Sequence, residues 1–305
     1  MKRRANEGRS RREWVVDRLL RGALWAAGRL PYETRVRLFG RLVSRVVAPL
    51  AGYNRRVRDN LALVCPDMPE DEVARLCRDV ADNAGRTMIE IYSGDEFVER
   101  IARMPMTGPG QKVLEKARDE GRPAIIVTGH FGNYDASRAA LIARGFRVGA
   151  LYRPMNNAFF NEHYVAAMGR IGKPIFPRGR RGYGNLLRFV RDGGMAGFLV
   201  DQYVASGADV TFFGQLAPTA LSAAELALKY DAPLVPTYGV RQPDGVSFEI
   251  VVEEAIPHTD AVTMTQALND SLEAITRKHM DQWFWIHRRW KPYRQWMRET
   301  ASTGP

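Results

Sequence analysis

Ile125-Ile-Val-Thr-Gly-His-Phe-Gly-Asn-Tyr-Asp-Ala-Ser-Arg138 is the stretch whose reading decides the fold of this chain. An apolar, β-branched run ends at Thr128, a turn carries Gly129 and Gly132, and a helical pattern begins near Asn133. Ligands of open α/β sheets bind outside the carboxyl ends of the strands, and His130 falls at such an end. Asp135 follows five residues later, across the strand-to-helix turn. That spacing can set a carboxylate against one imidazole nitrogen and leave the other to take a proton. The pair suits a reaction in which a hydroxyl is deprotonated as it attacks a carbonyl. A capping or core histidine would share the same spacing. No second ligand pair with metal spacing stands nearby, so neither a metal nor a cofactor is expected.

Beyond this turn, short apolar runs at 124–128, 148–152, 174–176, 196–200, 233–238 and 247–252 alternate with helix-length segments near 133–144, 157–169, 182–192 and 218–230. Continuous apolar strands between helices imply a largely parallel sheet buried on both faces. The last two runs, joined by Arg241-Gln-Pro-Asp-Gly245, imply a hairpin that ends the sheet antiparallel. A helix near 263–281 leads into an aromatic, basic tail. Upstream, residues 11–103 read as all-helical, with stops at Gly52, Pro66, Pro69 and Gly94, while residues 1–10 are polar and expected to be disordered. The expected organisation is an α/β protein with a basic helical region over 1–103 and a core over 104–305.

Charge separates the same two regions. Residues 1–59 hold sixteen Lys/Arg against five acids, which is the whole of the net +11, so residues 60–305 sum to neutral. A basic N-terminal fifth points to an anionic surface. Trp14, Val15, Val16, Leu19, Leu20, Leu24 and Trp25 lie near helical spacing among Arg12, Arg18, Arg21 and Arg29, and a second such run spans 37–51. Arginine interrupts both runs too often for a bilayer span of about 20 apolar residues. They read as helices lying in a membrane interface or covering the core. No signal-peptide cleavage pattern follows the first run, so export is not expected. Cys65 and Cys77 match no metal or disulfide framework. A nucleic-acid binder is the non-enzymatic rival suggested by a pI of about 9.9, but no nucleic-acid motif occurs, so no nucleic-acid partner is expected.

The block Gly-His130-Phe-Gly-Asn-Tyr-Asp135 resembles the His-x4-Asp/Glu box of glycerolipid-type acyltransferases. Five further blocks follow it. These are Tyr152-Arg-Pro-Met-Asn-Asn157, Met168-Gly-Arg170, Leu199-Val-Asp-Gln202, Phe212-Phe-Gly214 with Ala217-Pro-Thr-Ala220, and Trp283-Phe-Trp-Ile-His-Arg-Arg-Trp-Lys291. In this order they resemble the late lipid A acyltransferase family, lauroyl and myristoyl transferases of Gram-negative bacteria, whose superfamily includes phosphatidylinositol mannoside acyltransferases. The resemblance covers roughly residues 14–294. It implies a glycerolipid-acyltransferase-like mixed sheet flanked by helices, with the N-terminal helices associating with membrane.

The resemblance also implies an activity: transfer of an acyl chain from an acyl carrier protein or acyl-CoA thioester to a hydroxyl of a lipid acceptor. His130 would deprotonate the acceptor and Asp135 would orient His130. Arg170 and Asp201 match the family's arginine and acid and are substrate-binding candidates with Arg153 and Asn133. Arg153 follows a strand and could grip a phosphate. Backbone N–H groups near Gly132 and Asn133 are the expected oxyanion donors. His287 and Arg288 are further candidates for acceptor contact, with packing an equal reading of His287. The tail tryptophans beside Arg and Lys suit a headgroup layer. The run Arg178-Gly-Arg-Arg-Gly-Tyr-Gly184 reads as a solvated loop or a phosphate site before a helix. Asp135 stands where several lipid A members carry Glu, which leaves the acceptor open to a lysophospholipid or ornithine-type lipid. The absence of a clear spanning helix implies peripheral or monotopic attachment at the cytoplasmic face of the inner membrane.

Overall fold

A computed structural model describes residues 11–155 and 157–291. The N-terminal third is helical, as its periodicity implies. Helices α1 (Arg11–Ala27), α2 (Tyr32–Leu42), α3 (Ala48–Leu50), α4 (Tyr53–Val64), α5 (Glu70–Tyr92) and α6 (Asp95–Ala102) follow one another, with a π turn at Val43–Val47 before α3. Gly52 takes the left-handed conformation (φ 68°) that lets the chain turn into α4. Pro69 precedes α5, whose first turn carries Glu70, Asp71 and Glu72 beneath the positive end of the helix dipole.

Strand β1 (Met106–Thr107) and α7 (Gln111–Asp119) open the α/β part. It continues through β2 (Ile125–Thr128), α8 (Tyr134–Ala143), β3 (Val148–Tyr152), α9 (Ala158–Ile171), β4 (Ile175–Pro177), α10 (Arg180–Arg191) and β5 (Met195–Leu199). A ribbon of β6 (Thr211–Phe212) and β7 (Gln215–Leu216) precedes α11 (Ser222–Lys229), β8 (Leu234–Arg241), β9 (Phe248–Val252) and α12 (Ala261–Lys278). The seven-stranded sheet runs β1-β9-β8-β2-β5-β3-β4. Strands β2, β3, β4, β5 and β8 are mutually parallel, and β9 is antiparallel to β8. The hairpin therefore forms, but it does not end the sheet. Two residues, Met106 and Thr107, add β1 in parallel beyond β9, too short a strand for an apolar pattern to show.

Alternation along β2 divides the core. Ile126 packs with Val148, Leu141 and Met168 on one face, under α5, α8 and α9. Ile125 and Val127 pack on the other with Leu186, Ala223 and Leu268, from α10, α11 and α12. A third cluster gathers Phe131, Phe212 and Tyr238 around the C-terminal tryptophans. Trp283, Trp285 and Trp290 are each fully buried, which overturns the headgroup-layer reading for these three; Trp296 lies outside the described residues. Their indole N–H groups bond to Asp201, Met280 O and Phe212 O, so each polar edge is satisfied inside the protein.

Apolar side chains of α1 and of the α2–α3 stretch remain exposed, while those of α4, α5 and α6 contribute to the core. On α1, Trp14, Val15, Val16, Leu19, Leu20 and Trp25 are exposed, and so are Leu38, Leu42, Val46, Val47 and Leu50 along the α2–α3 stretch. Arg18 and Arg29 lie over the rings of Trp14 and Trp25. Helix α1 is held from its other side, where Asp17 is buried and Arg21 bonds both Asp17 and the Phe159 carbonyl. No helix among the described residues is long and apolar enough to cross a membrane.

Candidate active site

The site grows from the ends of two adjacent parallel strands. In β2 and β5, Thr128 lies opposite Leu199. Two residues further along each chain stand His130 and Asp201, at equivalent heights. The Asp201 carboxylate bonds His130 Nδ1 at 2.8 Å through Oδ1. Its Oδ2 accepts the His130 backbone N–H at 2.7 Å and Trp283 Nε1–H at 3.0 Å. Gly129 leaves room for this, since a Cβ there would press on Leu272 and come within 3.2 Å of Asp201 Oδ2. Gly132 has φ 52°, and a Cβ would lie 2.0 Å from the Gly239 carbonyl.

Asp201 is fully buried, which alone would raise its pKa. The attraction and hydrogen bonds of His130, with a smaller pull from His287, outweigh burial and hold it well below the usual carboxylate range. A charged Asp201 on Nδ1 fixes the proton there and leaves Nε2 with the lone pair. Among the described residues none hydrogen-bonds Nε2.

Asp135, the expected partner, has another neighbour. Its Oδ1 accepts from Arg138 Nε at 2.8 Å, while Oδ2 is buried with no hydrogen-bond partner among the described residues. Arg138 is held in turn by the Gly172 and Met168 carbonyls. One turn of helix between residues 135 and 138 favours this local pair. Asn133 is fully buried and caps α8: its side-chain oxygen accepts Asp135 N–H and its amide donates to Glu90. The Gly132 N–H bonds Gln282 O and the Asn133 N–H bonds Gly239 O. With His130 N–H on Asp201, the turn has no N–H left at these three residues for an oxyanion.

A cavity of about 360 Å³ opens beside His130. Ile126, Leu141, Val148 and Met168 line its apolar part, between the sheet and α8–α9, and Asp135 and Arg138 line it too. Arg153, Arg178 and Gln202 border it, so Arg153 lies at the cavity. Arg170 does not: it is exposed in the last turn of α9, beside Gly94, and is not paired with Asp201. Arg288 is exposed. His287 meets the His130 ring edge to face at 4.5 Å, with its Nε2 buried and without a hydrogen-bond partner among the described residues. Burial first, then the neighbouring His130, pushes its pKa down to about 3. Arg289 is fully buried on Thr219 and the Pro218 carbonyl, and burial lowers its pKa to about 10 despite the pull of Asp201.

Ligand atoms of His130, Asp201 and His287 lie within 4.8 Å of one another, a trio that spacing could not show because three separate segments supply it. A metal held there through His130 Nδ1 would displace the His130–Asp201 hydrogen bond. A buried polar network behind the turn also escaped the sequence. Arg241 pairs with Glu90, at 2.6 Å and 2.8 Å, and bonds Asn83, while Asn83 and Thr87 donate to the Gly132 carbonyl. Glu90 amid Met88, Ile89 and Ile91 was the available signal, a charge inside an apolar run.

A mostly parallel sheet thus sets His130 past the carboxyl end of its central strand, β2, beside a cavity with an apolar lining. The family model for bacterial lipid A biosynthesis acyltransferase matches residues 1–292, and the chain belongs to that family. It is 24% identical over 280 residues to a lipid A biosynthesis lauroyltransferase of Escherichia coli (strain K12), covering 88% of this chain and 89% of the relative. A lipid A biosynthesis acyltransferase of Haemophilus influenzae is 22% identical, over 84% and 81%. A phosphatidylinositol mannoside acyltransferase of Mycolicibacterium smegmatis is 24% identical, over 78% and 80%.

Proposed function

We propose that this chain transfers a fatty acyl group from a thioester to a hydroxyl of a lipid A-type acceptor, with His130 as general base and Asp201 as the carboxylate that orients it. The observation that carries the reading is the His130–Asp201 bond at the mouth of an apolar cavity. His130 Nε2 takes the acceptor's proton as the hydroxyl oxygen attacks the thioester carbonyl. The tetrahedral intermediate collapses with cleavage of the C–S bond, and the imidazolium returns the proton to the departing thiolate. Asp201 stabilises that imidazolium without taking its proton. Oxyanion stabilisation is assigned to cavity-lining side chains, since the N–H groups of His130, Gly132 and Asn133 are spent. Arg153 and Arg178 are the cations there besides Arg138, which holds Asp135. Asp135 Oδ2 serves as a hydrogen-bond acceptor for a substrate group entering the cavity.

Two relatives whose names specify lipid A biosynthesis support the acceptor. Exposed apolar side chains and arginines on α1 and α2–α3 support attachment to an anionic membrane surface, which we place at the cytoplasmic face of the inner membrane. Purified enzyme, offered an acyl thioester with a lipid A precursor or a lysophospholipid, tests the reading by mass spectrometry of the lipid product. Acylation of the lipid A precursor, lost in His130→Ala, is expected. Exclusive acylation of the lysophospholipid would replace the acceptor, and undiminished transfer by folded His130→Ala would remove the base.

A further inference from the structure

The chain outside residues 1–59 is neutral in sum but not in distribution. Residues 144–191 hold ten Lys/Arg and a single acid, Glu162. They form β3, α9, β4 and α10, one edge of the sheet. Helix α10 concentrates the excess. At 100° per residue, Arg180, Arg191, Arg188 and Arg181 fall within about 100° of one another, and the buried Gly182, Leu186 and Val190 lie opposite. All four arginines are exposed; among the described residues only Arg191 has an acid beside it, Asp192. The run expected to be a loop before a helix is thus the helix itself from Arg180 onward, and it turns a stripe of cations to solvent.

The stripe begins at the rim of the cavity. Arg178, two residues before α10, lines the cavity, and so does Tyr183 in its first turn. We propose that α10 is the surface on which an acidic carrier protein docks to present its acyl thioester on a flexible arm. The partner deepens the acyl-transfer reading and rests on it. Three features favour this occupant. The cations are strung over about 16 Å of exposed helix, which matches an acidic protein face and not the single convergent cradle that a coenzyme phosphate needs. No exposed large apolar side chain belongs to α10, whereas interfacial membrane binding combines apolar burial with charge. A carrier seated there holds its arm beside Arg178, where the cavity opens toward His130.

The test is charge reversal of the stripe, Arg180→Glu with Arg181→Glu and Arg188→Glu, which leaves the cavity lining intact. Binding of fluorescently labelled acyl carrier protein is followed by anisotropy and stopped flow, beside acyl transfer from acyl carrier protein and from acyl-pantetheine. The association rate with the carrier should fall roughly 10- to 100-fold at low salt. Salt should weaken the wild-type complex far more than the variant's. Transfer from the carrier should lose through KM, while transfer from acyl-pantetheine is unchanged. Equal carrier binding by variant and wild type would overturn the proposal. An equal loss with acyl-pantetheine would overturn it in favour of a role inside the cavity, and a loss confined to anionic vesicles in favour of a lipid surface. Displacement of the wild type's carrier by free coenzyme A, with no effect of the reversal, would assign the donor to the coenzyme. A wild type that transfers from neither thioester would fail the acyl-transfer reading, while the anisotropy arm still scores the docking surface.

Discussion

Asp201→Asn separates the two carboxylates that sequence and structure nominate for His130. The native carboxylate receives three donors: His130 Nδ1–H, His130 N–H and Trp283 Nε1–H. An amide of the same shape has one acceptor oxygen. Keeping that oxygen against the two fixed donors, His130 N–H and the indole, turns the amide NH2 toward Nδ1. Nδ1 must then accept, and the ring's proton moves to Nε2, the atom that should be the base. The opposite amide orientation leaves two buried donors facing an NH2, at about 1–3 kcal/mol each. A histidine held in the wrong tautomer loses roughly 10⁴-fold in turnover, about 5.5 kcal/mol of barrier. Stability should fall by only about 1–3 kcal/mol, because shape is kept and one bond is compromised. Asp135→Asn, by contrast, retains an oxygen for Arg138 Nε and should lower kcat less than about tenfold in folded protein. The assay is thiol release from an acyl thioester in the presence of lipid acceptor, with urea melts of each variant. If Asp201→Asn keeps kcat within tenfold while folded Asp135→Asn loses a thousandfold, the local carboxylate is the partner and the geometric argument fails.

His130→Ala should cost at least about 100-fold in turnover with little change in urea midpoint, because the ring borders an open cavity; near-normal turnover would remove it as the base. Trp283→Phe removes one donor from a buried carboxylate and should cost about 1.5–3 kcal/mol, read by urea melts; no loss would mean that the indole bond contributes nothing to holding Asp201. His287 has a folded pKa of about 3 against an ordinary 6.5, so between these values the unfolded chain binds a proton that the native state refuses. Stability should therefore fall as pH drops from 6.5 toward 4, by up to a few kcal/mol, and His287→Gln should flatten that fall. His163 and His279, lowered mainly by burial, remain as background in both proteins, and an unchanged slope in the variant would refute the burial argument. Leu19→Glu with Trp25→Glu, at side chains 69% and 65% exposed, should abolish flotation with anionic vesicles while moderate salt releases the intact protein only in part; complete release of intact protein by salt would leave charge as the sole attraction.

The fold was legible because its signals are local. Apolar runs of strand length alternate with helical segments, and each of the six runs became a strand, five within a residue at either end and the run 233–238 extending three residues further to Arg241. Turn chemistry placed His130 at a strand end, and arginines within the apolar N-terminal helices argued against a span. Sequence alone therefore determined the α/β architecture, the position of His130 at a strand end and the amphipathic character of α1.

Pairing at a distance belonged to the tertiary structure. The partner of His130 stands 71 residues away, and nothing in the spacing of either segment states that β2 and β5 are neighbours. Once they are, parallel register carries Thr128 opposite Leu199 and brings His130 beside Asp201. Asp135, nearest in sequence, sits one helical turn from Arg138, and that local attraction claims it. The tail tryptophans carry the residue types of a membrane interface, yet Trp283 is buried and donates to Asp201, because burial depends on what packs above a residue and not on its neighbours in the chain. Charge behaves the same way: a sum over residues 60–305 cancels, while folding gathers the arginines of α10 onto one exposed face. Periodicity is a property of the chain, but adjacency between segments is created only when the sheet orders its strands.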